Sequence, residues 1–200
     1  KKDSILFLEF NPSEYQTLFS NLDDKKNIIL VNRRRPAIWS INSIKTMIKN
    51  NCKLINFNDF ISKEERDQLP NIIEDYKKSL ELELSTTPKA FLFLDDDLWP
   101  IIKNTIIERY QLRIPEYIFF LTAMKNFFEK NDVSSIIMLN QLGETEKTLL
   151  EINRNERSSI LLEHAFANYT KETSRFSILS SNSILDDKIA VWGEIQKKYL

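Results

Sequence analysis

The chain predicts an α/β fold built on a doubly wound, mostly parallel sheet with helices on both faces. Three observations carry this expectation: short apolar runs recur along the chain, segments of helical spacing follow them, and helix-start signals mark several of the junctions. Strand–helix units repeated in a row imply crossover connections, and crossovers give parallel strands.

The elements follow in order. Ser4 to Phe10 (SILFLEF) reads as the first strand, and Asn11-Pro12-Ser13-Glu14 reads as a helix start with Asn as cap, Pro at the first position and Glu at the third. Tyr15, Leu18, Phe19 and Leu22 then recur at helical spacing. Asn27 to Val31 (NIILV) is the second strand, Arg33-Arg34-Arg35-Pro36 the turn, and Ile41, Ile44 and Ile48 give the next helix its apolar face. Cys52 to Phe57 is the third strand. Ser62-Lys63-Glu64-Glu65 resembles a capping box, opening a helical region expected to break at Pro70 and resume to about Leu84.

Ala90 to Leu94 (AFLFL) reads as a fourth strand, ending in Asp95-Asp96-Asp97 before a helix entry at Leu98-Trp99-Pro100. Two helices are expected next, about Ile101 to Tyr110 and Pro115 to Lys130. Ser134 to Leu139 is the fifth strand, and Asn140 to Glu144 leads into a helix through Ile152. Ile160 to Leu162 forms a sixth, and Lys188 to Trp192 a further strand ending at Gly193-Glu194. The opening on Lys and the end inside a helical pattern at Leu200 predict a longer native product.

Composition narrows the function classes. Two hundred residues suit one domain over 1–200, with 28 basic against 29 acidic residues and so no overall charge excess to suggest nucleic acid or an anionic membrane. No apolar run approaches the roughly 20 residues that span a bilayer, and Glu9 interrupts the one near the start, so a cytoplasmic protein without a transmembrane segment is expected. Cys52 stands alone and forms no zinc cluster. With only Gly143 and Gly193, the chain has neither a phosphate-cradling Walker loop nor a Gly-x-Gly-x-x-Gly fingerprint, and no resident cofactor is expected.

In an open α/β sheet, ligands bind beyond the carboxyl ends of the strands. Asn140, Gly143, Glu144, Glu163, His164, Gly193 and Glu194 all follow predicted strands. His164, the single histidine, is the candidate base or donor to a phosphate or sugar oxygen; the plainer reading is a hydrogen-bonded loop residue. Glu144 equally complements a helix dipole. Arg33 to Arg35 suit phosphate or an acidic sugar, or form a solvated turn. Asp95 and Asp97 match a metal-holding or phosphatase Asp-x-Asp only weakly, and a helix cap is the plainer reading.

The series IIMLN (Ile136 to Asn140), Gly143-Glu144 opening a helix, LLEHAF (Leu161 to Phe166) and DKIAVWGE (Asp187 to Glu194) resembles the N-terminal, Rossmann-like half of GT-B-type glycosyltransferases of surface-polysaccharide synthesis. It is also similar to the UDP-N-acetylglucosamine 2-epimerase-like and polysaccharide glycerophosphotransferase groups. In such proteins a strand ends in a Gln-His-Gly-like turn, and this chain has Glu163 and Ala165 where that turn often has Gln and Gly. The resemblance implies an acceptor-side domain, with a nucleotide sugar and a glycan acceptor as partners and a C-terminal nucleotide-sugar-binding domain beyond this chain. It implies His164 and Glu144 as catalytic candidates and no bound metal; Asn140, Gly143 and Glu163 at the same strand ends, and Arg33 and Arg34 by their guanidinium chemistry, are the expected substrate contacts. The alternatives are a non-catalytic α/β binding or regulatory module, and a metal-dependent transferase or phosphatase using Asp95 and Asp97.

Overall fold

Six parallel strands in one sheet form the frame of the protein. The computed structural model describes residues 3–22, 26–85, 92–93, 96–140, 143–153, 156–162, 188–190 and 193–194. Two compact units divide the chain: Lys1–Asn56 with Phe127–Leu200, and Phe57–Asn126.

The first unit holds the sheet. Its strands are β1 (Ser4–Leu8), β2 (Asn27–Val31), β3 (Cys52–Leu54), β6 (Val133–Met138), β7 (Ser158–Leu162) and β8 (Lys188–Ala190), arranged β3-β2-β1-β6-β7-β8. Every pairing between neighbours is parallel. Counted along the chain within this sheet, the order is 3-2-1-4-5-6, the doubly wound Rossmann-like order with its reversal between β1 and β6. The sequence-based fold class is therefore the one observed. The second unit is inserted in the crossover that takes the chain from edge strand β3 back to the centre.

Central position explains β1: all five of its residues are buried, as expected of a strand covered on both faces. On one face Phe7 meets Phe10 and Phe19 edge-on, with ring centroids 5.0 and 4.9 Å apart. Ile28 and Leu30 complete this cluster, and Leu18, Leu22 and Met47 pack on it. Truncating a ring so enclosed costs about 3–5 kcal/mol.

Helix α1 (Gln16–Ser20) is a short helix that starts later than Pro12 predicts. The Asn11 carboxamide oxygen accepts from the Ser13 backbone N–H (3.2 Å) and hydroxyl (2.9 Å), which closes a turn first. Helix α2 (Ile41–Lys49) is capped by Ser40, whose hydroxyl accepts from the Ser43 N–H at 3.2 Å. Its apolar face exists as the spacing predicts, yet points outward: Ser43 and Thr46 are buried, while Ile41, Ile44 and Ile48 are exposed. Met47 supplies its inward apolar contact, and the Ser43 hydroxyl reaches Asn11 Oδ1 at 3.2 Å. Helix α5 (Glu144–Asn153) follows β6.

In the second unit, α3 (Lys63–Glu83) runs unbroken through Pro70, and α4 (Trp99–Lys130), which continues into the first unit, runs unbroken through Pro115. The expected breaks are absent because apolar residues flanking each proline enter one cluster: Leu69 and Ile73 about Pro70, Ile114 and Ile118 about Pro115. That shared burial outweighs the roughly 3 kcal/mol cost of an interior proline. The capping box is as expected, with Ser62 Oγ accepting from the Glu65 N–H (3.1 Å) and Glu65 accepting from the Ser62 N–H (2.8 Å). Asn126 ties this corner together, donating to Phe60 O at 2.7 Å and to the Glu65 carboxylate at 2.8 and 2.9 Å.

The expected fourth strand does not join the sheet. Instead β4 (Leu92–Phe93) pairs antiparallel with β5 (Asp96–Asp97) as a two-stranded ribbon. No helix of the described residues is long and apolar enough to cross a membrane.

Candidate functional site

Parallel strands bring their carboxyl ends to one edge, and the registers Leu8↔Val31 and Leu8↔Met138 align three of them. Residues 9–11, 32–35 and 139–140 therefore meet where the strand order reverses, the place at which this topology opens a crevice.

Glu9 organises that edge. Its backbone N–H still donates to Val31 O (2.8 Å), but its φ of 61° lies in the left-handed region, which costs a non-glycine residue about 1–2 kcal/mol. The turn aims the buried carboxylate at the next connection. Glu9 Oε1 accepts from the backbone N–H groups of Arg33 (2.8 Å) and Arg34 (2.9 Å), and Oε2 accepts from that of Arg35 (3.1 Å). One side chain thus satisfies three successive amides and fixes the arginine turn. A strained residue at the strand-order reversal fits the general concentration of such backbone at functional positions.

Beyond Glu9 lies a cleft of about 320 Å³, lined by Asn11, Tyr15, Asn32, Arg35 and Trp39, with Glu9, Glu14 and Leu139 completing its wall. Tyr15 packs edge-on against Phe10 at 4.7 Å. Burial, followed by the Glu14 charge, pushes its hydroxyl above the ordinary pKa, while Arg35 acts in the opposite direction. Trp39 is 60% exposed. Asn32 donates to Phe10 O at 3.0 Å, but its buried Oδ1 accepts no hydrogen bond from the described residues. Glu14 receives the Asn11 carboxamide N–H at 2.9 Å. The Arg35 guanidinium makes no ion pair among the described residues.

Arg34 turns away from this cleft, its Nε 3.8 Å from Glu9 Oε1 and its guanidinium bonded to Glu146. Glu146 is 2% exposed, and its Oε2 has no hydrogen-bond partner among the described residues. Burial, the largest influence, raises its pKa above the ordinary value and outweighs the opposing pull of Arg34. Gly143 makes room for this pair: a Cβ there would lie 2.0 Å from Glu146 Oε2 and 2.7 Å from Arg34 Nη1. Arg33 Nη1 donates to the buried Thr145 hydroxyl at 3.4 Å.

The structure thus brings together Arg33, Arg34 and Gly143 of the sequence-predicted site residues, with Asn140 following the cleft residue Leu139 and Glu144 exposed at the start of α5. Glu163 and His164 lie outside the described residues, as does Asp95. Asp97 belongs to the ribbon of the second unit. Sequence reasoning missed Glu9, Asn11, Asn32, Tyr15, Trp39 and Glu146 as a group. The available signal was Glu9 itself, a charged residue closing an otherwise apolar central strand.

Among the described residues no group of three or more His, Cys, Asp or Glu side chains is placed to hold a metal ion. The Cys52 thiol is half-buried, and burial pushes its pKa up to about 11. Comparison of the chain with protein-family models, curated proteins and solved structures gives no significant match.

Proposed function

We propose that this chain is the acceptor-side domain of a glycosyltransferase, binding a glycan in the cleft beside Glu9 while a nucleotide sugar is held by a further domain. The observation that carries the reading is the chemistry of the cleft at the strand-order reversal. An exposed indole at Trp39 and the Tyr15 ring offer flat apolar surfaces to the C–H faces of a sugar. Around them Asn32 and Asn11 supply carboxamide groups to the lining, Glu14 accepts, and Arg35 presents a guanidinium fork to a hydroxyl or carboxylate. Alternating aromatic planes and fixed polar groups suit a saccharide better than a purely apolar ligand. The resemblance around Ile136 to Glu194 supports the same assignment, and it makes His164 the group to test in turnover.

The occupied state of Glu9 favours one competing reading. Its carboxylate is committed to three backbone amides, and Glu146 is buried against Arg34, so neither is free to act as a base. A non-catalytic saccharide-binding module would use the same cleft without turnover. Titrating neutral and acidic oligosaccharides against intrinsic fluorescence separates the possibilities. Saturable binding, weakened about tenfold or more by Trp39→Ala, supports a saccharide cleft. Donor-dependent sugar transfer lost in His164→Ala supports the transferase. Binding of free nucleotides alone, with no saccharide response, contradicts both.

A further inference from the structure

The outward face of α2 is unusual for a helix packed on a doubly wound sheet. At roughly 100° per residue, Ile41, Ile44 and Ile48 fall within about 60° of one another, and Lys45 and Lys49 border them on one side. The three isoleucines are 70%, 42% and 76% exposed, and Ile38 (48%) and Trp39 (60%) continue the apolar surface at the helix entry. Meanwhile the inward face is lined by Ser43 and Thr46. The amphipathic pattern is therefore turned largely toward solvent.

Charge identifies what this face suits. From Asn32 to Asn58 the chain carries Arg33, Arg34, Arg35, Lys45, Lys49 and Lys53 and no Asp or Glu, although the whole chain has a net charge of −1. Arg34 is neutralised by Glu146, but Lys45, Lys49 and Lys53 make no ion pair among the described residues. An apolar stripe with lysines at its edge, preceded by a tryptophan, matches the interface of an anionic bilayer, where lysine stems extend along acyl chains and ammonium groups reach the headgroups. A nucleic acid would have no use for the isoleucines, and a neutral protein partner none for the unbroken positive charge.

We propose that α2, with the turn that precedes it, is a membrane-docking surface that lays Ile38, Ile41, Ile44 and Ile48 into the headgroup boundary of an anionic lipid bilayer. Docking is peripheral and reversible, because one short helix buries too little apolar area for insertion to be permanent. Trp39 belongs to both this surface and the rim of the cleft, so docking holds the cleft mouth close to the lipid headgroups. This inference stands whether or not the cleft binds a saccharide.

Co-sedimentation of the chain with phosphatidylcholine vesicles and with phosphatidylcholine–phosphatidylglycerol vesicles tests it. The expected result is binding to the anionic vesicles only, weakened as the ionic strength rises from about 0.1 M to about 1 M and the screening length falls from about 10 to about 3 Å. Ile41→Ser with Ile48→Ser should abolish it. Should that variant fold poorly, Lys45→Glu with Lys49→Glu, both exposed positions, provides the independent arm and should weaken binding at least about tenfold. No binding to anionic vesicles, or binding unchanged in folded variants, overturns the proposal. A concentration-dependent dimer abolished by the isoleucine substitutions, without vesicle binding, overturns it in favour of a second copy.

Discussion

Replacing Glu9 by glutamine removes a charge and inverts one hydrogen-bonding group at the centre of the arginine turn. Glutamine can leave its oxygen where Oε1 stands, keeping the Arg33 and Arg34 amides at neutral rather than charge-assisted strength. Its NH2 must then face the Arg35 N–H, which Oε2 accepts at 3.1 Å in the native protein. Losing about 1 kcal/mol from each retained bond and most of the third gives roughly 2–4 kcal/mol of destabilisation. For a chain of this length that corresponds to a melting temperature lower by about 5–15 °C. Urea unfolding followed by far-UV circular dichroism reads the change directly. A paired comparison isolates the backbone: at a φ of 61°, Glu9→Gly should be about 1 kcal/mol more stable than Glu9→Ala, since only alanine bears the left-handed penalty. Glu9→Gln within about 0.5 kcal/mol of the parent, with no difference between Gly and Ala, would refute the assignment of Glu9 as the turn's organiser.

Further outcomes follow from the same edge. Gly143→Ala should destabilise by about 1–3 kcal/mol, because its Cβ displaces the Arg34–Glu146 pair, and the penalty should largely vanish in a Glu146→Ala background; a double-mutant cycle in urea measures this. The folded state binds the Glu146 proton more tightly than the unfolded state does, so this group's contribution to stability declines as pH rises above the ordinary value of 4.5. Glu146→Gln should lack that decline, which parallel pH series of unfolding curves would show as a difference between parent and variant. Cys52, with its thiol pushed up to about 11, should react with a disulfide reagent at pH 8 far more slowly than a free cysteine whose pKa is about 8.5. In the second unit, Asn126→Ala should cost about 1–3 kcal/mol by leaving Phe60 O and Glu65 without their shared donor.

Much of the fold was legible because the signals were local. SILFL and NIILV read as buried parallel strands, and they are. The capping box at Ser62 stands where its spacing placed it. What escaped depended on tertiary packing. Pro70 and Pro115 carry strong local breaking signals, yet apolar neighbours on both sides of each enter one cluster and keep the helices whole. AFLFL has the composition of a core strand, but Asp96 and Asp97 fold back on Leu92 and Phe93 instead. Periodicity located the apolar stripe of α2 without revealing which way it faces, since Ser43 and Thr46 are small enough to pack inward. The site was half legible for the same reason: the arginine turn and Gly143 lie at strand ends that a topology argument can place. Asn32 and Trp39 matter only because Glu9 curls the Arg33 to Arg35 backbone around its carboxylate.

The central claim is that the carboxyl edge between β1, β2 and β6 forms one saccharide-binding cleft. The most direct measurement is a backbone amide NMR titration of the chain with the oligosaccharide that quenches its fluorescence most. The account predicts saturable shifts concentrated at residues 9–15, 32–39 and 139, reduced by both Trp39→Ala and Arg35→Ala. Shifts confined to residues 57–126, or a pattern unchanged in both variants, would contradict it.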